Sequence, residues 1–285
     1  MKKYIYLKIN KKAVFFKNIK NINVENYYIL NEKNIIFRIC RKFNIINSIL
    51  FGVWKFKIKK YDLIILGENG YLPKISKYIK KKNPNCKIIM YFWNILNDEY
   101  KKILNDKNID EFWTFDRNES QKHNMKYNPQ FYSKDIFLNN SATEQGIIFL
   151  GRAKGRKNEL IKLEENFNLL GIKTNFYIIE NEKKYMPYDN YLKLLSQSNC
   201  VLDYNQKGQT GLTLRPMEAL FLEKKLITNN KDIKNYDFYN PNNIFILGED
   251  NIENIKEFMN KPYEKVEQKI IDYYDFEQWL SRFEV

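Results

Sequence analysis

The chain of 285 residues is poor in the side chains that build metal and disulfide frameworks, with three cysteines and one histidine. Cys40, Cys86 and Cys200 are far apart and odd in number, so they read as buried thiols and not as a disulfide frame or a zinc site. A single imidazole, His123, excludes a metal centre built on several histidines. No apolar run approaches the length needed to cross a bilayer; the longest, such as residues 88–93, are strand length. Lys8 and Asn10 interrupt the opening residues before they form the apolar core of a signal peptide, which predicts a cytosolic protein. There is no internal repeat and no low-complexity linker.

What the chain does have is positive charge: a formal net charge of +14 and a pI near 9.3. Nucleic acid, an anionic membrane and a phosphorylated substrate would each suit such a balance. Part of the excess follows from a composition rich in Lys, Asn, Ile and Tyr, the signature of an AT-rich genome. The aromatic residues sit in apolar strand-like or helical contexts and do not interleave with cations, which argues against a base-stacking platform. With 44% hydrophobic residues the chain is long enough for one large or two ordinary domains with their own cores.

Continuous apolar strands alternate with helical patterns. Strands are expected at 3–8, 60–67, 87–93 and 111–115, and helices at 72–82, 94–105 and 120–124; residues 34–38 fit a strand or a helix start. Residues 129–145 read as a linker. A second series follows, with strands at 146–150, 174–179, 199–203 and 225–228 and helices at 157–170, 188–197, 213–223 and 251–260. Gly171 is placed to close a helix. A final helix at 275–284 carries Phe276, Trp279, Leu280 and Phe283 on one face. The alternation predicts α/β architecture with parallel sheets covered on both faces, in domains 1–145 and 146–265 followed by a C-terminal helix at 266–285.

Two segments carry chemistry. In 200–218, CVLDYNQKGQTGLTLRPME, a strand stops at Asp203, a loop of Gly208, Gln209, Thr210 and Gly211 follows, and a helix begins near Leu212 or Thr213 with Glu218 about one and a half turns in. Ligands bind at the carboxyl ends of strands in open α/β sheets, and free N–H groups at a helix start attract phosphate. A carboxylate farther along can accept from ribose hydroxyls. In 146–156, GIIFLGRAKGR, a strand runs into a glycine loop bearing Arg152, Lys154 and Arg156, cations suited to phosphate oxygens. Singly, Gly151 and Gly155 are ordinary turn glycines and Glu218 an ordinary helix acid; the ordered set is what describes a nucleoside-diphosphate site.

The FLGRAKGRK loop, GQTGLTLRPMEAL and the following KKLITNN resemble the donor half of bacterial GT-B glycosyltransferases, most closely the short enzymes of lipopolysaccharide, capsule and other surface-glycan synthesis. The resemblance covers about 146–240. It implies two Rossmann-like domains facing across a cleft, with the nucleotide sugar in the C-terminal one and a glycan or lipid-linked acceptor in the N-terminal one. It also implies a last helix that crosses back. Gly151, Arg152, Lys154 and Arg156 would then meet the donor diphosphate, Gln209, Thr210, Gly211 and Thr213 the phosphate-binding helix start, and Glu218 the ribose. Met186, Pro187 and Tyr188 would lie near the base. Many retaining members carry a Glu seven residues before the ribose acid; here that position is Thr210, and the stereochemical outcome is left open. No Asp-x-Asp pattern occurs, so a metal-independent transfer without a bound cofactor is expected. An inverting reaction also needs a base. Glu68, between Gly67 and Gly70, and Asp116, at the end of a strand, are the candidates; a surface turn acid and a helix cap are their alternatives. Asp203 would orient the phosphate loop, line the sugar pocket or cap the loop. Peripheral attachment to the inner face of the membrane would use basic and aromatic surface residues. Rival readings are a nucleotide-sugar epimerase of the same fold and a non-enzymatic protein binding nucleic acid or anionic polymer.

Overall fold

The computed structural model describes residues 3–8, 23–30, 33–138, 146–180 and 186–284. The chain divides into two compact units, Met1–Asn128 and Pro129–Val285. Each is a parallel sheet with helices, as the continuous apolar strands require.

In the first unit the strands are β1 (Tyr4–Lys8), β2 (Asn23–Asn26), β3 (Leu63–Gly67), β4 (Lys87–Phe92), β5 (Glu111–Thr114) and β6 (Lys126–Tyr127). Their order is β2-β1-β3-β4-β5-β6, with every pairing parallel. The order reverses between β1 and β3. The helices are α1 (Ile35–Lys42), α2 (Pro73–Lys82), α3 (Asp98–Lys101) and α4 (Arg117–His123). Asn34 caps α1 by accepting from the Ile36 and Phe37 N–H groups, which resolves residues 34–38 as a helix start. Pro73 opens α2, Ile75 and Ile79 face inward one turn apart, and three lysines occupy its last turn, where the helix dipole favours cations. The helix expected at 94–105 is only one turn of α-helix followed by a 3-10 turn, Lys102–Asn105.

Ile5, Leu7, Ile64, Leu66, Ile88, Met90 and Phe92 build the core together with Phe37, Phe51 and Trp54. The Trp54 indole donates to the Tyr27 carbonyl at 3.1 Å. The Tyr27 and Tyr28 hydroxyls donate to the Gly67 and Gly70 carbonyls at 2.6 and 2.7 Å, which pins both ends of the loop carrying Glu68.

The second unit contains β7 (Ile147–Arg152), α5 (Lys157–Leu169), β8 (Thr174–Ile179), α6 (Tyr188–Gln197), β9 (Cys200–Asp203), α7 (Leu214–Phe221), β10 (Lys225–Thr228) and β11 (Ile244–Ile246). Helices α8 (Ile255–Asn260), α9 (Gln268–Tyr274) and α10 (Phe276–Ser281) complete it. The parallel sheet runs β11-β10-β9-β7-β8, so the order reverses between β7 and β9, the same relation of first to third strand as in the first unit. Ile147 and Phe149 pack with α5 and α8, and Ile148 with α6, so the sheet is covered on both faces. Gly171, at φ +67°, ends α5 as expected. The Ile172 N–H bonds to the Phe167 carbonyl and the Gly171 N–H to Asn168, the paired closure that a left-handed residue permits.

Residues 129–138, the described part of the expected linker, belong to the second unit; 139–145 lie outside the described residues. Phe131 packs tilted against Trp279 with ring centres 4.4 Å apart, and Trp279 meets Phe283 edge-to-face at 4.6 Å, so this segment shares a core with the last helices. The two architectures are Rossmann-like.

Gly52 is held where a Cβ would stand 2.3 Å from the Asn26 carbonyl oxygen, a backbone atom that cannot turn aside. Gly52→Ala is expected to destabilise the first unit by about 2 kcal/mol through overpacking. Urea unfolding followed by tryptophan fluorescence, to which the buried Trp54 contributes, would measure it, and a neutral result would mean that the turn before Trp54 adapts freely.

Candidate functional site

The carboxyl ends of β7 and β9 adjoin the reversal in strand order, where doubly wound sheets bind ligands. The end of β7 delivers Arg152 there, the loop after it Lys154 and Arg156, and α7 adds Arg215. Lys154 takes a left-handed φ of +44° beside Gly155 at +82°. Desolvation and then the Arg156, Arg215 and Arg152 guanidiniums push the Lys154 ammonium below the usual lysine range, although the residue is exposed. Among the described residues the Arg152 side chain makes no hydrogen bond or ion pair. Arg156 is different. It is buried, donates to the Tyr204 and Arg152 carbonyls, and holds the loop in shape. Burial and then Arg215 lower its pKa. An anion placed among these groups would relieve their mutual repulsion.

Arg215 anchors the cluster. Its Nε and Nη2 donate to the Leu150 carbonyl at 3.1 and 2.7 Å, its Nη1 meets the Asp203 Oδ1 at 3.2 Å, and its guanidinium lies 4.7 Å from the Phe149 ring centre. Asp203 is fully buried and also accepts from the Thr213 hydroxyl at 2.7 Å. Thr213 is the N-cap of α7 and accepts from the Arg215 N–H at 3.2 Å. Gly151 supplies the space: a Cβ there would fall 2.2 Å from Arg215 Nη2. Asp203 thus caps and orients the start of α7. The helix begins at Leu214, so Thr210 and Gly211 belong to the loop before it. The Thr210 carbonyl accepts from the Asn230 amide at 3.0 Å, and the Gln209 amide reaches the Gly211 carbonyl at 3.5 Å.

Glu218 is buried in α7, not solvated. Its Oε1 accepts from the Tyr188 hydroxyl at 2.8 Å and its Oε2 from Tyr191 at 2.9 Å. Tyr132 lies 2.7 Å from the Tyr188 oxygen; since Tyr188 spends its one proton on Glu218, Tyr132 is the donor of that pair. Burial pushes the Glu218 carboxyl upward, and the two tyrosine hydroxyls only partly offset it.

Beside these loops, a cleft of about 430 Å³ is lined by amide side chains of the β9–α7 loop, including Asn205, Gln206 and Gln209, and by Asn229 and Asn230 after β10. The Asn205 backbone N–H donates to the Asn229 side chain at 2.6 Å, and Asn229 returns a bond to the Asn205 carbonyl at 3.1 Å. The Asn205 carboxamide itself is buried with neither Oδ1 nor Nδ2 paired among the described residues.

The first unit has a comparable position at the ends of β1 and β3. Glu68 is buried there, which overturns the surface-turn alternative. Its Oε1 accepts from Asn94 Nδ2 at 2.6 Å and its Oε2 from the Trp93 N–H at 3.2 Å. Burial raises its pKa, opposed by these bonds and by Lys8. Desolvation pushes the Lys8 ammonium down to about 7 against the pull of Glu68. Asp116 takes the capping role: its Oδ1 accepts from the Asn118 and Glu119 N–H groups at 2.9 and 3.1 Å at the start of α4. Among the described residues no group of three or more His, Cys, Asp or Glu is placed to hold a metal ion.

The sequence reading named the loop cations, Asp203, Thr213, Tyr188 and Glu218 but missed Arg215, Tyr132 and Tyr191. Arg215 stands in the quoted LTLRPME motif, and its place one turn ahead of Glu218 was the available signal. Tyr191 and Tyr132 left none, because Tyr191 reaches Glu218 from α6 and Tyr132 meets its partner Tyr188.

No protein-family model matches the chain, and no curated protein matches it. Among solved structures it is similar to a GtfA/B complex bound to UDP and GlcNAc, at 13% identity over 75% of this chain and 53% of that one, TM-score 0.29. It is also similar to NAD+-bound 3-phosphoglycerate dehydrogenase of Entamoeba histolytica, at 12% identity over 91% of each chain, TM-score 0.22. The chain spans about half the length of the first of these. Neither likeness specifies a function.

Gly151→Ala is expected to displace Arg215 from Leu150 and Asp203 and to cost about 1–3 kcal/mol, read by denaturant unfolding; an unchanged midpoint would mean that Arg215 is not held there. Glu218→Gln tests the buried charge. Above the ordinary glutamate range and up to its raised value, folded Glu218 keeps a proton that the unfolded chain has lost. Stability therefore falls as pH rises through that window, and Gln removes the slope. Melting temperatures across the window should decline less in Glu218→Gln than in the wild type, and parallel curves would refute the account.

Proposed function

We propose that this protein is a metal-independent glycosyltransferase of GT-B architecture that moves a sugar from a nucleoside-diphosphate donor to a bacterial surface glycan. The observation that carries the reading is the convergence of Arg152, Lys154, Arg156 and Arg215 with the start of α7 at the strand-order reversal of the second unit. In glycosyl transfer the bond from the anomeric carbon to the diphosphate oxygen breaks and negative charge develops on the leaving group. Arg152 and Lys154 face that charge, while Arg156 and Arg215 hold the loop and add to the field. A ribose at Glu218 would take the place of the Tyr188 hydroxyl, one donor substituting for another. The sugar would occupy the amide-lined cleft, where carboxamides both donate to and accept from hydroxyls and Asn205 has capacity to spare.

The first unit would take the acceptor. Glu68, with its raised pKa, is the residue we assign to accept the acceptor hydroxyl proton. Asp116 keeps a structural role as a helix cap. A nucleotide-sugar epimerase would share the donor site but would convert the donor with no acceptor present.

Thermal shift against UDP, GDP, CDP, CMP and dTDP, with and without their sugars, tests the proposal. One base should raise the melting temperature, because a ligand that binds only the folded state stabilises it by mass action. Arg152→Ala should leave the unliganded melting temperature unchanged and weaken that nucleotide by roughly tenfold, about 1.4 kcal/mol. If millimolar nucleotide of every kind leaves the melting curve where it was, the donor site is refuted.

A further inference from the structure

Among the described residues the exposed large apolar side chains are concentrated in one stretch of the first unit. Of the thirteen exposed large hydrophobic residues among the described residues, nine fall within 29–56 of the first unit. Ile35 is 65% exposed, Phe43 67%, Ile49 71% and Phe56 80%, with Ile36 and Ile39 beside them on α1. The segment is not loose. Phe37, Ile46, Phe51, Trp54 and Ile58 from the same stretch are buried in the core of the unit. The Ile29 N–H bonds to the Leu50 carbonyl at 3.0 Å, and the Lys74 ammonium to the Asn44 carbonyl at 2.7 Å. The outward side chains are therefore presented on a fixed frame, and a folded chain exposes so dense an apolar set where something covers it.

The charge around them indicates what does. Residues 33–60 carry eight Lys or Arg and not one Asp or Glu. Among the described residues Arg38, Lys57, Lys59 and Lys60 have no acidic partner; Arg41 meets Glu99 at 3.7 Å on an exposed surface. Lys42 and Lys55 lie 5.8 and 5.1 Å from the Phe43 and Phe56 ring centres, so cation and apolar ring are presented together. Protruding Ile and Phe side chains can enter the acyl boundary, while lysine and arginine heads stay among phosphates. A uniformly basic rim would meet its own kind on a second copy of this chain.

We infer that residues 33–60 of the first unit form a docking surface for an anionic lipid bilayer, entered by Phe43, Ile49 and Phe56 and held by the surrounding lysines and arginines. This surface is independent of the nucleotide site and stands whether or not that site is confirmed.

Co-sedimentation with vesicles of phosphatidylglycerol and phosphatidylcholine in equal parts, against phosphatidylcholine alone, tests it. The protein should pellet with the mixed vesicles and not with the neutral ones, and rising salt should release it. Phe43→Ser with Phe56→Ser should weaken binding at least tenfold and leave the melting temperature in place, since both rings are exposed. A second variant, Lys57→Gln with Lys59→Gln and Lys60→Gln, keeps the apolar face and should lose roughly fivefold per lysine. Equal binding to neutral vesicles, no binding to either, or binding that survives both variants overturns the inference. So does a dimer on size-exclusion chromatography that the Phe43→Ser, Phe56→Ser variant dissociates without any vesicle binding, because a second copy would then be what covers the face.

Discussion

The Arg215 guanidinium is the interaction on which the candidate site depends. It ties the Leu150 carbonyl near the end of β7 to Asp203 at the end of β9, the two strands between which the order reverses. Its side chain is largely buried and its charge is met by a fully buried carboxylate, so removal of either partner would leave an uncompensated charge inside the sheet edge. The seat exists only because residue 151 has no Cβ. Glycine here does not serve backbone freedom; it clears the space in which a cation can lie against the strand.

From that anchor the rest of the site follows by exclusion. Asp203 is occupied by Arg215 and Thr213, and among the described residues no carboxylate pairs with Arg152 or Lys154. Arg156 is committed to two carbonyls and acts on the loop. The same distinction separates the acids. Asp116 is engaged with backbone N–H groups, whereas Glu68 and Glu218 are desolvated and held mainly by neutral donors, the setting that raises a carboxyl pKa. Folding therefore alters the protonation of Glu68 and Glu218.

Net charge alone did not distinguish nucleic acid, membrane and phosphorylated substrate. Placement picks out two concentrations of positive charge. One converges on the strand ends of the second unit; the other rims an exposed apolar surface on the first, with no acid in its stretch of sequence. A compositional bias toward lysine would spread charge evenly, and neither cluster is even.

Local rules in the sequence determined most of the secondary structure. The continuous runs at 63–66 and 88–92 could only be strands buried on both faces, Gly171 closes α5, and the Ile75–Ile79 spacing sets the inner face of α2. The short strands β2, β6 and β11 escaped notice because a strand of two to four residues has no periodicity to read and exists through its neighbour. The chemically named parts of the site were also legible, since cations, glycines and the helix start adjoin one another in the chain. Tertiary structure alone decided their states. The tyrosines that hold Glu218 come from positions 188 and 191, with Tyr132 behind Tyr188, Glu68 is buried by contacts with residues 93 and 94, and the partner of Asp203 is selected by the gap at Gly151. Burial and charge pairing are properties of residues brought together across the sheet, and spacing along the chain does not contain them.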